Sequence, residues 1–347
     1  MTTGLEGVEV TQTHLSRVDG IKGELVLRGR RLEELAGKVS YESVCGLLWE
    51  EEEVELGRAR ALAYAQFESW FERTDGLTYP GALRLLLTIL RPESEVKPHH
   101  LAAGAVAVGL ANVIRRRRGL APVAPRAEVG QAQSLLEMLE AGPVEESRWK
   151  ALEAYLVTVA EHGLNPSTFT ARVIASTGAE LFPTLVGALS ALEGPLHGGA
   201  PGPVLDMLDA CQADPRGWIR EQLARGQRLM GFGHRVYRVR DPRAEVLKRA
   251  VLTLAQSPRL AQAETVERVA LEELARHKPD RRLETNVEFY TAVLLEAVGL
   301  PREAFTGVFA TGRVAGWSAH FYEQKHGGRL LRPVARYVGP EPANGEG

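Results

Sequence analysis

MGFGHRVYRVRDPR, residues 230–243, is the stretch that most restricts the fold and chemistry of this chain. It holds two glycines, one histidine and four arginines in fourteen residues. Asp241 and Pro242 signal a helix start, because an N-cap residue is followed by a first-turn proline. Glycine-rich backbone with arginines beside a helix start is typical of an anion-binding site. An ordinary basic loop has the same composition, and the stretch is not a GxGxxG after a strand, so it does not favour a Rossmann fold.

Two other segments carry reactive side chains in unusual surroundings. In GPLHGGA, residues 194–200, small residues follow His197, which lets a ligand approach the imidazole. A hydrogen-bonded histidine in a helix–helix turn is an equally good interpretation. In NVEFY, residues 286–290, Glu288 lies among apolar and aromatic residues. Such a carboxylate either pairs with an arginine or has its pKa raised for proton transfer.

Together the three segments predict one site. Histidines polarise carbonyl groups, and a desolvated carboxylate removes a proton from carbon. Arginines clamp a small dicarboxylate. The set is typical of enolate chemistry with an anionic partner, and no serine or cysteine is marked as a nucleophile.

Outward from these segments, helical periodicity dominates the chain and predicts a mainly helical, all-α fold. Only the N-terminus is β-like: Val8 and Val10 alternate, Asp19-Gly20 is a turn signal, and residues 24–27 predict a returning strand. The predicted helices are Tyr41 to Glu52, Pro80 to Leu90, His100 to Arg117, Trp149 to His162, Pro166 to Gly178, Leu181 to Leu192, Val204 to Cys211, Trp218 to Arg225, Arg243 to Leu254, Pro258 to Arg276, Asn286 to Val298 and Pro301 to Gln324.

Composition excludes several classes of protein. A chain of 347 residues is long enough for two domains of about 100–200 residues each. A formal net charge of -2 argues against a nucleic-acid binder, and the apolar runs are too short to span a membrane. Cys45 and Cys211 are too few for a disulfide framework, so we expect buried thiols in the cytoplasm. No metal motif is present, and the adjacent His99 and His100 would point in different directions on a helix.

Several separated motifs, in order along nearly the whole chain, resemble the citrate synthase family in its shorter bacterial and archaeal form. They are GLEGVEVTQTHLSRVDGIKGELVLRG, EHGLNPSTFTARVIASTGAE, GPLHGGA, GFGHRVYRVRDPRA, NVEFY, FATGRVAGWSAHFYEQ and RPVARYVG. The resemblance implies an almost all-α homodimer with its active site in a cleft between two domains. The large domain would comprise residues 1–199 and 305–347, and a mobile, CoA-binding small domain would comprise residues 200–304.

The resemblance also implies a role for each matching residue. His197 would bind the thioester carbonyl of acetyl-CoA, His234 would polarise the ketone of oxaloacetate, and Glu288 would remove the methyl proton. The residues implied to bind oxaloacetate are His162, Arg243, Arg313 and, across the dimer interface, Arg332. The residues implied to lie against CoA are Gly231, Phe232, Gly233, Arg235 and Arg238. Acetyl-CoA would be a substrate, and neither a metal nor another cofactor is expected.

Departures from the family pattern leave alternatives open. Most of the family has Asp where this chain has Glu288, one methylene longer, and Pro201-Gly202 stands where many members have Asn-Glu. Propionyl-CoA differs from acetyl-CoA by one methylene, so a 2-methylcitrate synthase is an alternative. An alternative of another class is a catalytically weak paralogue that binds a dicarboxylate or CoA.

Overall fold

Helices form along nearly the whole chain, as the periodicity predicts. The computed structural model describes residue 5 and residues 7–195, 197–198, 201–234, 236–254 and 258–340. The α-helices in this part of the chain are α1 Leu32–Leu35, α2 Tyr41–Trp49, α3 Leu56–Phe67, α4 Tyr79–Ile89, α5 Pro98–Arg117, α6 Gln131–Glu140, α7 Glu146–Val159, α8 Pro166–Ser176, α9 Leu181–Leu192, α10 Pro201–Ala210, α11 Pro215–Ala224, α12 Pro242–Leu252, α13 Pro258–His277, α14 Val287–Ala297 and α15 Phe305–Gly327. Short 3-10 helices cover Glu68–Thr74 and Arg302–Ala304.

The prediction of a mainly helical fold with a small N-terminal β piece is confirmed, although its details differ. Strands β1 Ser16–Asp19, β2 Glu24–Leu27 and β3 Arg30–Arg31 form one antiparallel sheet in that order. The alternation at Val8 and Val10 was wrong as a strand signal, because both residues lie outside the sheet. The predicted turn is correct: Asp19 Oδ1 accepts hydrogen bonds from the amides of Ile21 and Lys22, at 3.0 and 2.9 Å.

Three helices, α1, α3 and α6, were not predicted. Helix α1 has only four residues, and neither α3 nor α6 has a side-chain N-cap. In α3 the apolar pattern is interrupted by Arg60, which is nonetheless completely buried. Its guanidinium donates to Gln131 Oε1, at 3.0 Å, and to the Arg126 carbonyl, at 3.1 Å. Tertiary contacts, rather than local signals, therefore stabilise this helix.

The core is built around α5 and α15, which are buried along most of their length. Helix α5 packs against α3, α4, α6 and α15, and α15 packs against α7, α8 and α9. A helix that is buried on all sides is expected to be apolar on all its faces. Residues 101–110 of α5 meet this expectation, because they are all alanine, glycine, leucine or valine. No helix in the described ranges is both long enough and apolar enough to cross a membrane. Both cysteines are buried free thiols.

Side-chain caps set the start of the helices that carry the predicted site. Asp241 caps α12, Asn286 caps α14 and Asn165 caps α8. Arg243 and Glu288 consequently lie at the second position of α12 and α14, where a side chain projects from the helix end. Ser257, which with Pro258 gives the same signal of a cap followed by a proline, lies outside the described residues. Because caps act within three residues, this part of the site follows from local sequence.

Candidate active site

The loop that carries His234 is held against the segment before α14. Gly233 donates to the carbonyl of Glu284, at 2.7 Å, and Asn286 donates to the carbonyl of Gly231, at 2.9 Å. Asn286 Nδ2 also donates to the carbonyl of Gly233, at 2.8 Å. Both glycines have positive φ, +83° and +80°, which residues with a Cβ rarely adopt. The glycines therefore shape the loop that presents the histidine.

The hydrogen bonds of His234 determine its tautomer. Its Nδ1 accepts from the amides of Val236 and Tyr237, at 3.0 and 3.1 Å, so the proton of the neutral ring is on Nε2. Burial, and then the charge of Arg243, lower the pKa of His234 to about 4. The ring is therefore neutral at pH 7 and presents an N–H donor. Arg243 Nη2, another donor, lies 3.3 Å from Nε2. Two donors this close together can both donate to a single acceptor oxygen that lies beside them.

Arg243 is held by a buried ion pair. Its Nε donates to Asp241 Oδ1, at 3.0 Å, and its Nη2 to Oδ2, at 2.7 Å. Asp241 Oδ2 also accepts from the amide of Val287, at 3.2 Å, which links α12 to α14. Arg243 and Asp241 are 4% and 1% exposed. The Nη1 of Arg243 has no acceptor among the described residues, so it can bind an anion.

Arg313 reaches the same region from α15. Its Nε donates to the carbonyl of Val159, at 2.5 Å, at the end of α7. Gly316 permits this approach, because a Cβ there would lie 2.4 Å from the carbonyl oxygen of Ala160. The guanidinium lies 4.7 Å from the ring centroid of Phe309, a favourable cation–π distance. Burial lowers the pKa of Arg313 to about 10, so it remains charged at pH 7.

His162 lies beyond the last residue of α7, not within the helix as predicted. Its ring is 5.9 Å from that of His234, and its Nε2 shares a 3.1 Å hydrogen bond with the hydroxyl of Tyr237. Burial, followed by the charges of Arg243 and Arg313, lowers the pKa of His162 well below its usual value. The structure therefore brings His162 and His234 together as neutral rings.

His197 approaches from the turn after α9. Its Nε2 is 2.8 Å from the hydroxyl of Ser167, which also accepts a 3.1 Å hydrogen bond from Trp317 Nε1. The amide of Ser167 faces the same Nε2, at 3.4 Å, so this nitrogen is an acceptor and the proton lies on Nδ1. Burial, and then the charge of Arg313, lower the pKa of His197 to about 4. Its ring is thus a third neutral imidazole, and its N–H donor is on Nδ1.

Glu288 is the carboxylate of the site. Burial raises its pKa to about 7, although the charges of Arg243 and Arg313 lower it and that of Asp241 raises it further. A carboxyl that titrates near neutral pH is suited to act as a general base there. Its position at the start of α14 keeps it beside both arginines. The arrangement can therefore hold an anion, polarise carbonyl groups and accept a proton.

The remaining predicted residues lie at the edge of this cluster or away from it. Phe232 pairs with Thr285 through an isolated β-bridge and packs against the core. Arg238 is exposed, and its amide donates to the carbonyl of Gly20, at 2.8 Å. Arg235 lies outside the described residues. Arg332 is exposed in the segment after α15 and does not join the cluster within one chain.

Sequence reasoning missed residues that support the site. Ser167 positions His197, Tyr237 contacts His162, and Asp241 holds Arg243. Tyr237 and Asp241 lie inside the quoted residues 230–243, and Ser167 follows the Asn165-Pro166 helix start. Their proximity to the motifs was the available signal, but local sequence does not reveal which side chains they contact.

A second polar cluster could be considered for a metal. His99 Nε2 and His100 Nε2 lie 2.9 and 2.7 Å from the two carboxylate oxygens of Glu51. The two histidines thus converge, contrary to the expectation that they point apart. The amide of Glu55 faces His100 Nδ1, at 3.4 Å, so the His100 proton belongs on Nε2 and is donated to Glu51. Lys97 Nζ also bonds this carboxylate, at 3.0 Å. These contacts favour a hydrogen-bonded cluster over a cation site.

Comparison with known proteins agrees with this geometry. The family model "Citrate synthase, C-terminal domain" matches residues 4–334. The chain belongs to the citrate synthase family. A citrate synthase from Haloferax volcanii is 36% identical, covering 97% of this chain and 95% of the relative. A 2-methylcitrate synthase from Mycobacterium tuberculosis is 34% identical, covering 97% and 90%.

The fold comparison supports the same assignment. The crystal structure of citrate synthase from Thermotoga maritima has a TM-score of 0.88 and 32% identity, and the match covers 99% of this chain and 97% of that one. The prediction of an enzyme of the citrate synthase family is therefore confirmed. The roles of individual residues are not tested by these comparisons and stay predictions.

Proposed function

We propose that this enzyme condenses acetyl-CoA with oxaloacetate and then hydrolyses citryl-CoA to citrate and CoA. The observation that carries the proposal is a pair of buried guanidinium groups facing neutral imidazoles and a carboxyl. Arg243 Nη1 and both terminal nitrogens of Arg313 have no acceptor among the described residues, although both side chains are almost fully buried. Buried cationic donors of this kind suit a small dicarboxylate.

The proposed chemistry follows from the donor and acceptor positions. Oxaloacetate would bind Arg243 and Arg313, with its ketone oxygen at Nε2–H of His234. Glu288 would take the methyl proton of acetyl-CoA, while Nδ1–H of His197 would donate to the thioester carbonyl and stabilise the enolate. The methyl carbon would then bond to the ketone carbon while the π bond of the ketone carbonyl breaks. The ketone oxygen would take the Nε2 proton of His234, which regains a proton from solvent while Glu288 gives up the methyl proton to solvent. Water would finally attack the thioester carbonyl and release the CoA thiol.

For CoA, we propose the loop from Gly231 to Arg238. Its backbone is shaped by two glycines, and Arg238 at its end is exposed and able to meet phosphate groups. Phe232 and Arg235 are assigned to the same loop from the family resemblance. Acetyl-CoA is a substrate in this scheme, and the histidines and arginines supply the electrophilic stabilisation that a metal would otherwise provide.

We further propose a homodimer with two domains per subunit, the small one formed by residues 200–304. The segment after α15 supports the dimer, because it leaves Val334 and Val338 98% and 86% exposed in a single chain. A second copy of the chain could cover these side chains and receive Arg332 in its own site. A two-fold axis would create two equivalent shared sites.

The function can be tested by measuring thiol release with oxaloacetate and either acetyl-CoA or propionyl-CoA. We expect release to require both substrates, to persist with a chelator, and to have the higher kcat/KM with acetyl-CoA. Higher kcat/KM with propionyl-CoA would indicate a 2-methylcitrate synthase, the activity named for one 34% identical relative. Folded protein that binds oxaloacetate but releases no thiol from either substrate would support a binding paralogue.

The role of Glu288 can be tested in the same assay. Glu288→Gln keeps the shape of the side chain but cannot accept the proton, so kcat should fall at least about a hundredfold with little change in oxaloacetate affinity. Glu245→Gln is the matched control, because it neutralises a partly exposed carboxylate on α12. Wild-type turnover by Glu288→Gln would exclude this residue as the base.

A further inference from the structure

Tyr155 is a buried polar residue that the proposed chemistry does not use. It lies in α7 and is 0% exposed, yet its hydroxyl has no hydrogen-bond partner among the described residues. An unpaired buried hydroxyl is unfavourable, and native proteins usually satisfy such groups. A buried donor of this kind near a binding site suggests a partner that is in place only during function.

The surroundings of the hydroxyl identify the candidate partners. Helix α7 packs against α12, α14 and α15, which carry Arg243, Glu288 and Arg313. All three side chains are close enough for their charges to act on the Tyr155 hydroxyl. Val159, one turn after Tyr155 in the same helix, accepts the hydrogen bond from Arg313 Nε. Tyr155 is therefore buried behind the side chains of the candidate active site, without access to solvent.

Only one of these neighbours can accept a hydrogen bond. Guanidinium groups are donors, whereas the ionised carboxylate of Glu288 is an acceptor. No described residue donates a hydrogen bond to the Glu288 carboxylate. The Tyr155 hydroxyl therefore needs a partner that the Glu288 carboxylate can provide by accepting its proton in a hydrogen bond. Glutamate also reaches one methylene further from α14 than aspartate would. Burial raises the pKa of Tyr155 well above its usual value, so its hydroxyl keeps its proton and remains a donor.

We propose that Tyr155 is a positioning residue, whose hydroxyl donates a hydrogen bond to the ionised Glu288 carboxylate when substrates occupy the site. The inference rests on the proposed function, in which Glu288 is the base. The hydrogen bond would occupy one carboxylate oxygen and direct the other towards the methyl group of acetyl-CoA. It would also favour the ionised form of Glu288, which Arg243 and Arg313 favour and Asp241 opposes.

The variant Tyr155→Phe removes only the hydroxyl, and Tyr322→Phe is the matched control. The Tyr322 hydroxyl bonds His99, at 3.1 Å, near the far end of α15. With oxaloacetate and acetyl-CoA, Tyr155→Phe should lower kcat about tenfold to a hundredfold, because a hydrogen bond to a charged group is lost. The acid limb of its pH–kcat profile should move up by about one pH unit, since the carboxylate loses a stabilising donor. The control should keep wild-type kcat and the wild-type acid limb.

Three results would overturn the inference. One is wild-type kcat and pH profile in Tyr155→Phe. Another is a raised KM for oxaloacetate with an unmoved acid limb, which would indicate that the hydroxyl binds substrate. The third is lower kcat with an unmoved acid limb and a lower Tm, which would indicate a structural role.

A double variant separates this inference from the proposed function. In the Glu288→Gln background, Tyr155→Phe should cause little further loss of kcat, because its partner carboxylate is already absent. A further loss as large as that in the wild-type background would show that Tyr155 acts independently of Glu288. If Glu288→Gln itself keeps wild-type kcat, the proposed base is wrong. If Glu288→Gln is inactive and Tyr155→Phe behaves as wild type, only the present inference fails.

Discussion

Gly20→Ala should impair catalysis through a contact far from Gly20 in sequence. A Cβ on Gly20 would lie 2.2 Å from the carbonyl oxygen of Val236, whereas ordinary contacts begin near 3.4 Å. The turn after β1 and the His234 loop must therefore separate by about 1 Å, and a displacement of this size can lower a rate about a hundredfold. The amide of Val236 donates to His234 Nδ1, so movement of Val236 disturbs the imidazole that faces the substrate. The bond from the Arg238 amide to the Gly20 carbonyl, 2.8 Å long, would also be lost.

The assay is thiol release at saturating acetyl-CoA with oxaloacetate varied, together with a thermal unfolding curve. We expect a large fall in kcat/KM with a small change in Tm, because the clash affects one loop and not the core. Gly142→Ala is the control, since a Cβ there meets no atom within 4 Å. If Gly20→Ala keeps kcat and KM within about twofold of wild type, the turn after β1 does not position His234, and a displacement of about 1 Å here does not affect catalysis.

Other predictions concern the charged groups. Asp241→Asn should weaken oxaloacetate binding and lower Tm by roughly 4–7 °C, because breaking a buried ion pair costs about 3–5 kcal/mol; calorimetry showing an unchanged Tm would contradict this. The active form of Glu288 is ionised, and burial raises its pKa to about 7. We therefore expect kcat to fall as the pH drops below 7, with a slope that approaches about tenfold per pH unit. A stopped assay giving constant kcat from about pH 5 to about pH 8 would exclude that ionisation. For the shared site, His234→Ala and Arg332→Ala homodimers should each be nearly inactive, whereas dissociating and remixing them should restore about a quarter of wild-type activity; verified subunit exchange without recovery would place Arg332 within its own chain's site or outside catalysis.

Local chemistry explains why much of the candidate site could be predicted from sequence. Asp241 and Asn286 cap their helices through atoms two residues away, so the starts of α12 and α14 are predictable. Asp19 likewise builds its turn within three residues. Where local signals were weak, prediction failed: α3 and α6 lack side-chain caps, and the alternation at Val8 formed no strand.

The sequence by itself determined the helical periodicity, the caps and the residue types of the site. Only the tertiary structure decided that His162 lies 5.9 Å from His234 and that α15 approaches the end of α7. It also decided that Glu288 titrates near neutral pH, because that pKa depends on burial and on arginines from two other helices. Periodicity and capping act over a few neighbouring residues, whereas distances between remote helices and the desolvation of a carboxyl arise only when the whole core packs.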